Sequence, residues 1–168
     1  MIVFWLLAAR PKTLVASVIP VSLGVSLAFN QHSELSVSLI GMCLAFAMLV
    51  QIATNFANDY FDSVRGADEQ RILGPQRFSG KGLIQGVYLR NVSFLFLILA
   101  FALGLFIMES SGSSRFLLLV GISSVICAIA YTGGPFPLAY NGLGDVFVIL
   151  FFGFVAVGMT HYVLLTDA

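Results

Sequence analysis

Charge is what this chain of 168 residues has least of: Asp, Glu, Lys and Arg together make up 10%, against about a quarter in ordinary soluble domains. Hydrophobic residues supply 59%, which excludes a water-soluble globule as the natural reading. The eight acidic and eight basic residues cancel, and the basic ones are too few for a nucleic-acid-binding surface. Cysteine is nearly missing. Cys43 and Cys127 each lie within an apolar run with no ligand at C-x-x-C spacing, so both read as structural thiols. No short repeat or low-complexity tract is present, which leaves one domain over 1–168. The first nine residues lack a basic start and a small-residue cleavage site, so they do not read as a removable signal. Trp5 followed by Arg10 and Lys12 instead marks 1–12 as an interfacial segment.

What is abundant is uncharged apolar sequence. Five such stretches, Thr13 to Phe29, Leu35 to Ala57, Asn91 to Met108, Phe116 to Ala130 and Val146 to Leu165, approach the roughly 17–25 residues that cross a bilayer. The expected fold is all-α, a polytopic transmembrane helical bundle. The connections differ sharply in charge: 30–34 has no Lys or Arg, whereas the loop expected over 59–90 holds Arg65, Arg71, Arg77, Lys81 and Arg90. With Arg10 and Lys12 these lie on one side, and only Arg115 falls on the other. The positive-inside rule then makes the N-terminus and the 59–90 loop cytoplasmic, in a cell (plasma) membrane.

Polar residues inside a span are costly unless they face a cavity, a partner or an ion. Gln51, Asn55, Asn58 and Asp62 are spaced four, three and four apart, which lines them along one helical face as a stripe of oxygen donors. Asn58, Asp59, Asp62 and Asp68 are hard ligands of the kind that hold Mg²⁺ with water and substrate phosphates. Arg65, Arg71, Arg77 and Lys81 follow, and acidic ligands beside basic side chains suit a diphosphate. Phosphate-ester chemistry in a lipid-facing cavity is the expectation; a stripe that merely ends a helix at the headgroups is the plain alternative.

At these residues the chain resembles the UbiA superfamily of membrane prenyltransferases. The match rests on Asn58-Asp59-Tyr60-Phe61-Asp62, an N-D-x-x-D motif, together with Ala9-Arg10-Pro11-Lys12-Thr13-Leu14, Gly74-Pro75-Gln76-Arg77 and the run from Tyr131 to Tyr140. Within the superfamily it looks most like the 1,4-dihydroxy-2-naphthoate prenyltransferases. The resemblance implies transfer of a polyprenyl chain from polyprenyl diphosphate to 1,4-dihydroxy-2-naphthoate, with loss of the acceptor's carboxylate, giving demethylmenaquinone. It implies Mg²⁺ on Asn58, Asp59, Asp62 and Asp68, and diphosphate on Lys12, Arg65, Arg71, Arg77 and Lys81. Asp59, Asp62 and Tyr131 would be catalytic, the last through its ring face toward a cation. Gln51, Asn55 and Asp145 would frame the substrate pocket, with capping of the last helix the other role open to Asp145. His161 falls near the opposite face and is given no chemistry.

The family's fold is a bundle of about nine membrane helices, packed closely through small residues, and carries a later D-x-x-x-D motif. After Tyr140 the only acidic residues here are Asp145 and Asp167. The chain therefore reads as the N-terminal part of such an enzyme. A prenyltransferase for another quinone or aromatic acceptor, a transporter-like protein and a non-catalytic scaffold stay open on the residues alone.

Overall fold

The computed structural model describes residues 1–66, 78–79 and 82–166. Helices account for most of them. A short α1 (Ile2–Ala8) precedes α2 (Pro11–Phe29), α3 (Val37–Val64), α4 (Gly86–Ser110), α5 (Phe116–Ala130) and α6 (Gly144–Thr166). A single 3₁₀ turn at Ala139–Asn141 leads into α6.

Four of these, α2, α3, α4 and α6, are long and apolar enough to cross a membrane. At 15 residues, α5 rises only about 22 Å, short of a hydrocarbon core of about 30 Å. Large apolar side chains such as Ile98, Leu119 and Phe154 point outward, the last 70% exposed, as suits helices solvated by lipid rather than water. The protein is a multi-pass membrane bundle.

The sequence expectation differs from the structure at the end of the second span. Helix α3 runs on to Val64 and α4 begins at Gly86, so Asn58, Asp59 and Asp62 sit on helix and Arg90 lies within α4. The connection expected over 59–90 is correspondingly shorter. An unbroken helix satisfies its own backbone, and continuing α3 carries the polar stripe past the apolar run without exposing peptide groups.

Between α1 and α2 the chain turns at Arg10, whose φ of 54° is the left-handed region. Pro11 accounts for the break between the helices, because its ring disfavours right-handed helix at the preceding residue, so α1 cannot run into α2. Within α2, Pro20 removes one amide from the ladder. One turn later Gly24 lets α6 approach closely, because a Cβ there would lie 2.7 Å from the Val157 carbonyl and 2.8 Å from Thr160 Cβ. Small residues at such crossings are how membrane helices gain van der Waals contact.

Two apolar clusters divide the bundle lengthwise. Val21, Ala28, Leu39, Cys43, Ile107, Val163 and Leu164 fill one half, while Ala8, Phe56, Phe78, Ile84 and Leu89 fill the other. Ser93 ties α4 to α3 by donating to the Ala53 carbonyl at 2.8 Å. The connections segregate likewise. Gln31 meets His161, Ser113 meets Thr166 and Tyr162 meets the Ser114 amide at one end; the segments after α3 and α5 meet at the other.

Candidate active site

At the end where α3 and α5 give out, the oxygen stripe is stitched to the segment that follows α5. Thr132 Oγ1 donates to Asn58 Oδ1 at 2.6 Å, and the Tyr140 hydroxyl donates to Asp62 Oδ1 at 2.6 Å. Arg65, one residue past the helix, donates Nη1 to the Thr132 carbonyl and Nη2 to the Gly134 carbonyl at 2.8 Å. Its guanidinium also lies 5.4 Å from the centre of the Tyr140 ring. Bonds to ionised groups are the stronger kind, so this loop is held by its partners on α3. Tight packing helps: a Cβ at Gly133 would fall 2.6 Å from the Phe61 ring.

The stripe itself divides its work. Gln51 and Asn58 line a partly open cavity of about 320 Å³ bordered by α2 to α6, within the range typical of small-molecule sites. Asn55 faces elsewhere, donating Nδ2 to the Ala9 carbonyl at 2.8 Å and to Thr13 Oγ1 at 3.0 Å. It thereby pins the left-handed corner at Arg10. Asp59, 1% exposed, turns both carboxylate oxygens onto the Phe78 amide, at 3.0 and 3.2 Å.

Tyr131 lines the cavity beside Asn58. Burial, with the nearby charges of Asp145 and Asp62, holds its phenol above its ordinary value, so it stays protonated at neutral pH. Asp145 is exposed in the first turn of α6, where a carboxylate also favours the helix dipole. Lys12 is exposed on the first turn of α2 at this same end. Asp68, Arg71, Arg77 and Lys81 lie outside the described residues.

From its polar end the cavity extends between α3, α5 and α6 to Ile107, Leu117 and Val163, walled by side chains such as Phe101, Phe147 and Phe151. The middle of α6, Ile149–Val155, is π-helical, an irregularity frequent at functional sites. Sequence pattern does not single out Thr132, Tyr140 or Thr54. Thr54 lines the cavity one turn before Asn58, and helical periodicity alone places it there. Among the described residues no three His, Cys, Asp or Glu gather as a metal cage.

The geometry is thus a polar mouth opening into an apolar tunnel. The model of the UbiA prenyltransferase family matches residues 17–166. The 1,4-dihydroxy-2-naphthoate octaprenyltransferases of Escherichia coli and Haemophilus influenzae are 37% and 34% identical to it, each over 94% of this chain and 52% and 53% of their own length. The enzyme of the same name from Bacillus subtilis is 35% identical over 96% of this chain and 50% of its own. The chain spans about half the length of the curated relatives it matches.

Proposed function

The chain belongs to the UbiA prenyltransferase family, and on that footing we propose that its site serves transfer of a polyprenyl group from polyprenyl diphosphate to 1,4-dihydroxy-2-naphthoate. The prenyl carbon bonds to the acceptor ring as diphosphate departs, the carboxylate leaves as CO₂, and the product is demethylmenaquinone in its hydroquinone form. The carrying observation is the continuity of one cavity from Asn58 and Tyr131 to Leu117 and Val163. A diphosphate fits the polar mouth and a prenyl chain the apolar length.

Asn58 and Asp62 fit a hard divalent cation such as Mg²⁺, because they present oxygens from one helical face and each is oriented by a hydroxyl at 2.6 Å. Such an ion, when bound, supplies Lewis-acid assistance to a departing diphosphate. The protein's own groups do the rest. Lys12, Arg71, Arg77 and Lys81 neutralise the diphosphate, while Arg65 fixes the loop that carries Thr132 and Tyr140. Tyr131 offers a neutral ring face to the allylic cation. Gln51 and Asp145 border the acceptor, Asn55 sets the corner beside it, and the Phe-rich walls exclude water that would quench the cation. The basic residues support a cytoplasmic mouth under the positive-inside rule, in our reading at the plasma membrane.

The test replaces the matching N-terminal part of the Escherichia coli relative with this chain, and assays membranes with octaprenyl diphosphate, 1,4-dihydroxy-2-naphthoate and Mg²⁺. The same assay is run with the chain alone. Prenylated product that disappears on Asp62→Asn is the expected result for the chimaera. A chimaera that reaches the membrane folded yet forms no product overturns the assignment.

A further inference from the structure

The motif Asn58-Asp59-Tyr60-Phe61-Asp62 offers two carboxylates, and the structure treats them differently. On a helix of about 100° per residue, the cavity-lining Thr54, Asn58 and Gln51 fall within about 60° of one another. Asp59 falls about 80° past Gln51, outside that arc. There its oxygens meet the Phe78 amide at 3.0 and 3.2 Å, with the Ser79 amide as a further donor and Arg10 close enough for its charge to act on the carboxylate.

Everything around Asp59 is anchoring. Phe78 is 2% exposed and packs with Ala8, Phe56 and Leu89, its ring 6.1 Å from that of Phe4. Ser79 Oγ accepts from Ser63 Oγ at 2.9 Å. A buried carboxylate that receives backbone amides has its charge satisfied by them and turns its acceptor directions away from a ligand.

We propose that Asp59 is a positioning residue that fastens the Phe78–Ser79 turn and the Arg10 corner beside the oxygen stripe, leaving metal ligation to Asn58 and Asp62. This rests on the site reading above for its second half only. Asp59 and Asn55 then form a pair: one carboxylate and one amide at the edge of the stripe, each holding a different cytoplasmic segment by its backbone. The segment after Phe78 leads directly into α4 through Ile84, which is buried in the same cluster. Fixing the turn therefore fixes where α4 starts.

Hydrogen exchange of the Phe78 amide tests it, in lipid nanodiscs with the full chain, read as the difference between overlapping peptides that begin several residues before Phe78 and end on either side of it. Mn²⁺ affinity is measured alongside by electron paramagnetic resonance. Asp59→Ala is expected to speed exchange of that amide at least tenfold, and Asp59→Asn, which keeps one carbonyl acceptor, to fall between it and the wild type. Neither shifts Mn²⁺ affinity more than about twofold, whereas Asp62→Asn weakens it at least tenfold with Phe78 exchange unchanged. Unaltered Phe78 exchange in both folded Asp59 variants overturns the proposal, as does a loss of Mn²⁺ affinity in Asp59→Asn equal to that of Asp62→Asn. If the wild type binds no Mn²⁺, the metal site fails while the exchange rates still decide the anchoring role.

Discussion

The hydroxyl of Tyr140 donates to a carboxylate oxygen of Asp62 across 2.6 Å, joining residues 78 positions apart in the chain. The bond fixes the direction of the carboxylate that the proposed metal would use. Because the acceptor is charged, about 1.5–3 kcal/mol rides on the hydrogen.

Removing only that hydroxyl isolates the effect. Tyr140→Phe keeps the ring under Arg65 and leaves Asp62 to rotate. Orienting partners of metal ligands are worth about 10- to 100-fold in affinity, so Mn²⁺ binding should weaken within that range. Titration of the variant by electron paramagnetic resonance checks it, and unchanged binding rejects the orienting role.

Arg65 separates two roles that sequence alone leaves together. Its planar fork spans the carbonyls of Thr132 and Gly134, which a lysine ammonium cannot reproduce. Arg65→Lys should therefore loosen the loop without any substrate present, at about 1–3 kcal/mol. Faster hydrogen exchange over 131–143 in the ligand-free protein is the expected reading; a defect seen only with diphosphate present would return Arg65 to the ligand.

Gly133 has no room for a side chain. A Cβ there meets Phe61 at 2.6 Å and the Ile129 carbonyl at 2.7 Å, and only the ring can yield. Gly133→Ala should destabilise by about 1–3 kcal/mol, lowering Tm. Adding Phe61→Leu should recover part of the loss, and a lack of recovery would put the clash at the Ile129 backbone.

At the other end of the bundle, Gly24 sets the approach of α2 and α6. Gly24→Val drives two further carbons toward the Val157 carbonyl and Thr160, at the overpacking penalty of about 1–3 kcal/mol or more. The helices should separate there, detectable as a lower unfolding temperature with Phe78 exchange unaffected. A normal melting temperature would show that the crossing is looser than the glycine's surroundings indicate.

Local pattern reveals the spans and the stripe, because both obey a helical period of 3.6. The same arithmetic sets Asp59 off the stripe of Gln51, Asn55, Asn58 and Asp62, but the motif reading counts it among the ligands, and only its bonds to the Phe78 amide separate it from Asp62. The Arg10 corner is also readable, through Pro11. Tyr140 and Thr132 are not: their partners lie 78 and 74 residues away, and nothing within a few positions of either signals a bond formed only when α3 and α5 end at the same level. The length of α3 escapes local pattern for a related reason. Composition turns polar at Asn58, but its backbone gains nothing by leaving the helix.

The π-helical stretch Ile149–Val155 gives α6 a local surplus of chain per turn. A one-residue deletion inside it can be absorbed by rewinding that stretch to ordinary α-helix, keeping Thr160 against Gly24. The same deletion among residues 156–159 rotates the contact by about 100° and turns it away from α2. Length variation in this helix is tolerable within one seven-residue window, next to the tunnel wall, and disruptive between that window and the crossing.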